Sequence, residues 1–291
     1  MRLMNAKHLC EQAAVRHFGI PALNTNGATY DITRAIIEAA EELQSPLIIQ
    51  CYAPNLEYRG YEYAGLLIRH LAGNGSIPLA IALDHGKTLD SVVHAVKAGF
   101  THVMIDYADR PLEDNARGTR QVIAAVRPWG VSVEAEVGHI IKSSETEGRR
   151  AATVGVDEVR KFLALVDVDA LAVAVGTTHG IFKEQNGIDF DLIAKIHAAT
   201  EVPLVLHGTC GVSLDDIKKS VQAGMTKINF GEALRMNYIR YFNAFSQTLP
   251  HEQHVWRIMR ACMDRLKRDV KEIIRAVGAE GKAALFRDNP Q

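Results

Sequence analysis

The sequence predicts an α/β chain folded as a (β/α)8 barrel, and three observations carry that expectation. Eight apolar, strand-like segments recur within about 250 residues, each followed by a stretch with helical spacing, which is the count and length such a barrel needs. The best marked of them, residues 78–86, begins at Pro78, runs apolar without alternation as a strand buried on both faces does, and stops on Asp84 and His85. No GxGxxG follows the first strand, whereas a doubly wound sheet has fewer strands and carries that dinucleotide fingerprint.

Taken in order, an amphipathic start with Leu9, Ala13 and Val15 leads to a short strand at 21–25 and a helix with Ile32, Ile36, Ala39 and Leu43 on one face. Residues 46–51 and a helix at 63–71 make a second unit, and 78–86 with a helix at 91–98 a third. The strand at 102–106 precedes a helix ending near Val126, and 131–137 precedes a polar loop and a helix at 156–166. The sixth unit pairs 170–176 with 190–199, the seventh 203–207 with 214–223, and the eighth 227–231 with a helix through about Phe245. Residues 252–276 place Val255, Met259, Met263, Leu266 and Val270 among Arg and Lys, an amphipathic helix for packing on the barrel or on a partner subunit. No linker interrupts this pattern, so 1–291 is expected to be one barrel domain with a helical extension over 250–281.

Composition narrows the function. At 291 residues and 47% hydrophobic content the chain is long enough for a large core. A net charge of -1 without a basic cluster gives no footprint for nucleic acid. Cys10, Cys51, Cys210 and Cys262 are far apart and lack CxxC spacing, which argues against a disulfide framework or a zinc knuckle. With no signal-like start and no apolar run near the length needed to span a bilayer, no membrane role and a cytoplasmic location are expected.

In a barrel the chemistry gathers at the carboxyl ends of the strands, where the sequence puts Asn24, Asp84, His85, Asp106, Glu134, Glu136, residues 177–179, His207 and Asn229. A lone histidine there is ordinarily just a hydrogen-bonded side chain, but three converging on one mouth suit a catalytic metal that keeps a coordination position open. The expected ion is zinc, or another divalent metal. Asp84, next in the chain to one of these histidines, is placed to move protons, although it could instead cap the helix starting near Thr88. Glu134 and Asp106 are alternative ligands, orienters of the histidines, or solvated strand-end carboxylates. A metal that polarises a carbonyl supports carbon–carbon cleavage or proton abstraction beside a ketone. The glycine-bearing turns His207-Gly-Thr-Cys-Gly211 and Lys227-Ile-Asn-Phe-Gly231 fall where barrels bind phosphate, or simply turn the chain.

Five motifs, in this order and separation, resemble the class II, metal-dependent fructose- and tagatose-bisphosphate aldolases over nearly the whole chain. They are Leu83-Asp84-His85, Val133-Glu-Ala-Glu-Val-Gly138, Leu171-Ala-Val-Ala-Val-Gly-Thr-Thr-His-Gly180, Pro203-Leu-Val-Leu-His-Gly208 and Lys227-Ile-Asn229. The resemblance implies an aldehyde-lyase with zinc on His85, His179 and His207, Asp84 as general acid and base, and Asp106 and Glu134 where a second or displaced metal can sit. It further implies that Gly180, Gly208, Gly211 and Asn229, with Asn24 and Gly231 nearby, hold the dihydroxyacetone-phosphate half of a sugar substrate, beside a monovalent cation, in a homodimer or homotetramer.

This chain departs from the family pattern at several positions. Cys210 replaces a common serine, and Glu232 a threonine, both in the phosphate pocket; a thiol donates poorly and a carboxylate repels phosphate unless protonated, turned away or bridged by a cation. Tyr52 stands where relatives often have serine near the aldehyde half, and Gly86 where a second histidine is common. The same chemistry on a non-phosphorylated ketose is therefore the alternative reading. In the loop after the fifth strand, residues 138–142 lead to Glu147-Gly-Arg-Arg150, a basic lid for an anionic substrate or a solvated loop. Arg260 is a further candidate anion contact, across a subunit interface. Two competing readings are a Schiff-base aldolase using Lys227 and a sugar-binding relative without catalysis.

Overall fold

Eight parallel strands close into a ring. The computed structural model describes residues 2–73, 75–140, 151–180, 187–248, 251 and 254–286. A two-residue strand β1 (Arg2–Leu3) precedes the ring, which is made by β2 (Ile20–Asn24), β3 (Leu47–Tyr52), β4 (Pro78–Gly86), β5 (His102–Ile105), β6 (Ser132–Val137), β7 (Ala170–Val173), β8 (Leu204–Leu206) and β9 (Met225–Phe230). Each pairs in parallel with its sequence neighbours, β9 returns to β2, and the β4–β5 pairing completes the circle. Parallel neighbours need a crossover, and helices supply it. Helix α1 (Ala6–Val15) packs against β2, β4, β6 and β9 together and so closes the end of the ring where the strands begin, while outside it lie α2 (Tyr30–Glu42), α3 (Ala53–Arg59), α4 (Tyr61–Ala72), α5 (Leu89–Lys97), α6 (Leu112–Val126), α7 (Val156–Leu165), α8 (Phe190–His197), α9 (Leu214–Ala223), α10 (Glu232–Thr248) and α11 (Val255–Ala276). The molecule is a (β/α)8 barrel with C-terminal helices.

Local chemistry sets the helix starts. Thr88 Oγ1 accepts from Ser91 N at 3.1 Å in a capping box that opens α5, while Asp189 and Ser213 cap α8 and α9 in the same way. Asp84 is therefore not the cap of α5. The second unit's helix is two helices, α3 and α4, that change direction at Gly60. Strand β7 is shorter than 170–176, because Val175 leaves the ring to bridge Thr153 in antiparallel fashion. Strand β1 is too short to leave a periodic signal. Residues 252–253 lie outside the described residues.

Side chains alternate along each strand, and the two phases differ in character. Val133, Ala135, Leu171, Leu204, Leu206 and Ile228 join the large apolar cluster shared with the helices. The opposite phase points into the ring and is small or polar: Ala170, Ala172 and Val205 form a separate patch, and Glu134 crosses the interior to His102, His207 and Lys227. Helix α11 buries Cys262, Leu266, Val270 and Ile274, each large apolar side chain contributing about 1.5–3 kcal/mol. Lys267 Nζ reaches Glu42 on α2 at 2.7 Å and Glu38 at 3.2 Å, and Lys271 also pairs with Glu42. The terminal helix thus packs on this barrel. Among the described residues, no helix is long and apolar enough to cross a membrane.

Candidate active site

A cavity of about 330 Å³ opens where the strands end. Asp84 and His85 both line it, although neighbours in a regular strand face opposite sides. The local backbone explains this. The β4–β5 register breaks between Leu83 and Gly86, and His85 has φ +52, in the left-handed region. Such a bulge turns the imidazole back toward the side Asp84 already faces. Gly86 follows because a Cβ there would lie 2.8 Å from Met104 O. The other two histidines are brought together by a close backbone approach: Gly208, with φ +69, lets the turn after β8 lie against Thr178, whose backbone a Cβ would meet at 2.7–2.9 Å.

The rings of His85, His179 and His207 stand edge to face, with centroids 5.0, 4.9 and 5.8 Å apart. One ligand nitrogen from each falls within 4.8 Å of the others. Two tautomers are set from behind. His85 Nδ1 donates to Asp106 Oδ2 at 2.8 Å, which directs Nε2 toward the cluster. His207 Nε2 donates to Glu134 Oε1 at 2.9 Å, which directs Nδ1 there, 3.2 Å from His85 Nε2. Three imidazoles, two of them backed by carboxylates, are a donor set that fits zinc, so the residues present suit the metal the motifs imply.

The electrostatics follow from burial and neighbours. Burial pushes the His85 imidazole down, but the charge of Asp84 and the Asp106 hydrogen bond outweigh it and raise its pKa to about 9. Burial lowers His207 more than Glu134 raises it. Burial also opposes ionisation of Asp106, yet His85 and the Lys87 ammonium, 2.7 Å away, hold it well below the usual carboxylate range. Glu136 is the reverse case. Burial first and Asp106 second raise it to about 8, one oxygen accepts from Ile140 N at 3.2 Å, and Oε2 is buried without a hydrogen bond. With His85 and Asp106 it forms a second group of ligand atoms within 4.8 Å.

Glu134 is placed differently from an alternative ligand. It belongs to neither group, because its carboxylate lies deeper and is taken by His207, Lys227 Nζ at 2.8 Å and His102 Nε2 at 3.1 Å. Its position is that of an orienter of His207. Lys227 is buried against Glu134 and Asn229 Oδ1, and among the described residues the cavity wall includes neither it nor Gly211 nor Arg260. Arg260 is half-exposed on α11 and pairs with Asp264 at 3.2 Å. The remaining expected residues do line the cavity: Asn24, Tyr52, Asp106, Gly180, Gly208, Cys210, Asn229, Gly231 and Glu232. Asn24 Nδ2 donates to Asp84 Oδ2 at 2.9 Å. Residues 141–150, with Lys142 and Arg150, lie outside the described residues.

Sequence reasoning assigned no role to Lys87, Gln50 or Arg235 in this site, and placed Glu136 there only as one of the strand-end residues. Gln50 is a polar residue inside an apolar strand, a signal that was available. Its amide satisfies both ends when it donates to Ala22 O at 3.1 Å and accepts from Lys227 Nζ at 3.2 Å and Asn229 Nδ2 at 3.0 Å; turned over, it would lie 3.3 Å from Asp84 Oδ1. Arg235 stands one helical turn beyond Glu232 and bonds to it at 3.1 Å.

A parallel barrel whose mouth gathers three imidazoles around an acid defines a class of metal-assisted barrel enzymes. The particular family follows from comparison: residues 4–282 match the model of fructose-bisphosphate aldolase class II, and the chain belongs to that family of lyases. It is 31% identical to a fructose-bisphosphate aldolase of Thermus caldophilus, over 97% of this chain and all of that protein. It is also 31% identical to a sulfofructosephosphate aldolase of Alkalicoccus urumqiensis, over 98% of this chain and all of that one. The crystal structure of the YdjI aldolase from Escherichia coli K12 superposes with a TM-score of 0.85 at 26% identity, covering 97% of this chain and 99% of that one.

Proposed function

We propose that the protein is a zinc-dependent aldolase that reversibly splits a ketose into a three-carbon ketone and an aldehyde, with Asp84 moving the proton. The observation that carries this reading is the joint placement of His85, His179 and His207 with Asp84 on one cavity. The relatives named above act, by their names, on fructose-derived phosphates, which supports a ketose as the substrate class.

A divalent ion on the three imidazoles would supply a Lewis acid that draws electron density from a ketone. The chain's own residues do the rest. Asp84, oriented by Asn24, accepts the proton of the C4 hydroxyl as the C3–C4 bond breaks. The electron pair stays with the ketone half, which takes up a proton at C3 before leaving. Asp106 and Glu134 keep the imidazoles aimed throughout. The ketone half lies on the Gly180, Gly208 and Asn229 side, and the aldehyde half meets Tyr52, whose ring stands edge to face with His85 at 6.1 Å.

Two experiments test this. Asp84→Ala is expected to lower turnover by about 10²–10⁴-fold while metal content stays intact. Chelation is expected to abolish cleavage, and activity that survives it, together with an adduct trapped by borohydride on Lys227, would replace this reading with an imine mechanism.

A further inference from the structure

The cavity wall at the start of α10 carries an acid and a base that the proton transfer above does not use. Glu232 opens this 17-residue helix, whose first N–H groups and dipole favour an anion. Arg235, one turn on, also faces the cavity and would add a guanidinium to the same place. Together they would make an anion site, but the chain's own carboxylate already fills it: Arg235 donates to Glu232 Oε1 at 3.1 Å. The lysine on the wall is committed as well, Lys87 to Asp106 at 2.7 Å. Cys210 lies close enough to Glu232 for that charge to add to burial in raising its thiol pKa, so the neighbour that could donate a hydrogen bond is a neutral, weak donor.

We propose that Glu232 is a specificity-determining residue that closes an anion site and selects a ketone half ending in a free hydroxyl. The carboxylate accepts a hydrogen bond from that hydroxyl, and its charge turns away a phosphate at the same end. The inference concerns this end of the substrate alone and rests on the aldolase reading.

The test compares exchange of the α-proton of dihydroxyacetone and of dihydroxyacetone phosphate by the metal-loaded protein, wild type and Glu232→Gln. In parallel, inorganic phosphate is titrated into both proteins, metal-free, by calorimetry. The wild type is expected to have the higher kcat/KM with dihydroxyacetone, and Glu232→Gln to shift the ratio toward the phosphate by about tenfold or more, the size of one charge-assisted hydrogen bond exchanged for repulsion. Metal-free Glu232→Gln is expected to bind inorganic phosphate at concentrations where the wild type does not, and Arg235→Gln added to it to remove that binding. A wild type that prefers the phosphorylated ketone, or a Glu232→Gln protein with unmoved preference and no phosphate binding, overturns the proposal. Exchange of neither ketone by the wild type overturns the aldolase reading instead, and the phosphate titration alone then decides whether Glu232 closes an anion site.

Discussion

Glu134 is fully buried, yet burial does not protonate it. Removal from water pushes its pKa up, and Lys227, His102 and His207 bring it well below the ordinary carboxylate value. Buried charges of this kind add little net stability, so the arrangement is better understood by what it positions, the Nδ1 edge of His207. Glu134→Gln is expected to weaken metal affinity about 10–100-fold, measured by competition with a chromophoric chelator, with saturating stoichiometry unchanged. Its role was only partly legible. Glu134 and Glu136 share one face by strand periodicity, and their difference in depth depends on how the ring closes, which spacing alone does not reveal. Asp84, His85 and His207 were legible because a polar residue that abruptly ends an apolar strand needs a polar destination, and His179 because it follows such a strand within one short loop.

Strand β4 shows the same division at the level of an element. Its bounds, Pro78 to Gly86, match the expected strand, because proline and the apolar run mark them. The register break inside it left no signal, since a histidine in left-handed backbone is unfavourable on its own and is imposed by tertiary packing. The C-terminal helix was recognisable from its apolar stripe, while its seat on α2 came only with the structure. There Lys267 and then Lys271 hold the Glu42 carboxyl below its ordinary value. A carboxylate with a lowered folded-state pKa stabilises above its unfolded value, ~4.3, and that contribution is lost as pH falls through the folded value. Glu42→Gln is therefore expected to cost up to ~1 kcal/mol near neutral pH, since the pair is partly exposed, and less at a pH below ~4.3. Thermal melts of both proteins at the two pH values check this.

At the scale of the whole molecule, the three histidines come from separated points in the chain, so only the closed ring makes them a cluster. The fold was legible because eight units repeat one signal and errors at single boundaries do not alter the count. A ligand that binds only the folded ring stabilises all of it, by about 4.1 kcal/mol at a thousandfold excess over its dissociation constant. Zinc added to metal-free protein is thus expected to raise the Tm by about 2–4 °C for each kcal/mol gained, and His179→Ala to lose most of that rise. A scanning calorimetry shift that His179→Ala leaves unchanged would place the metal elsewhere. The left-handed backbone at His85 sets stability against chemistry within this same measurement. Holding a non-glycine residue there costs about 1–3 kcal/mol, which the buried hydrogen bond from His85 Nδ1 to Asp106 at 2.8 Å partly offsets. His85→Gly relieves the backbone but leaves Asp106 to Lys87 alone, so without metal that variant is expected to melt close to the wild type, and with metal well below it. A selection for heat resistance run in chelator would thus exert little pressure to keep the residue on which the proposed metal site depends.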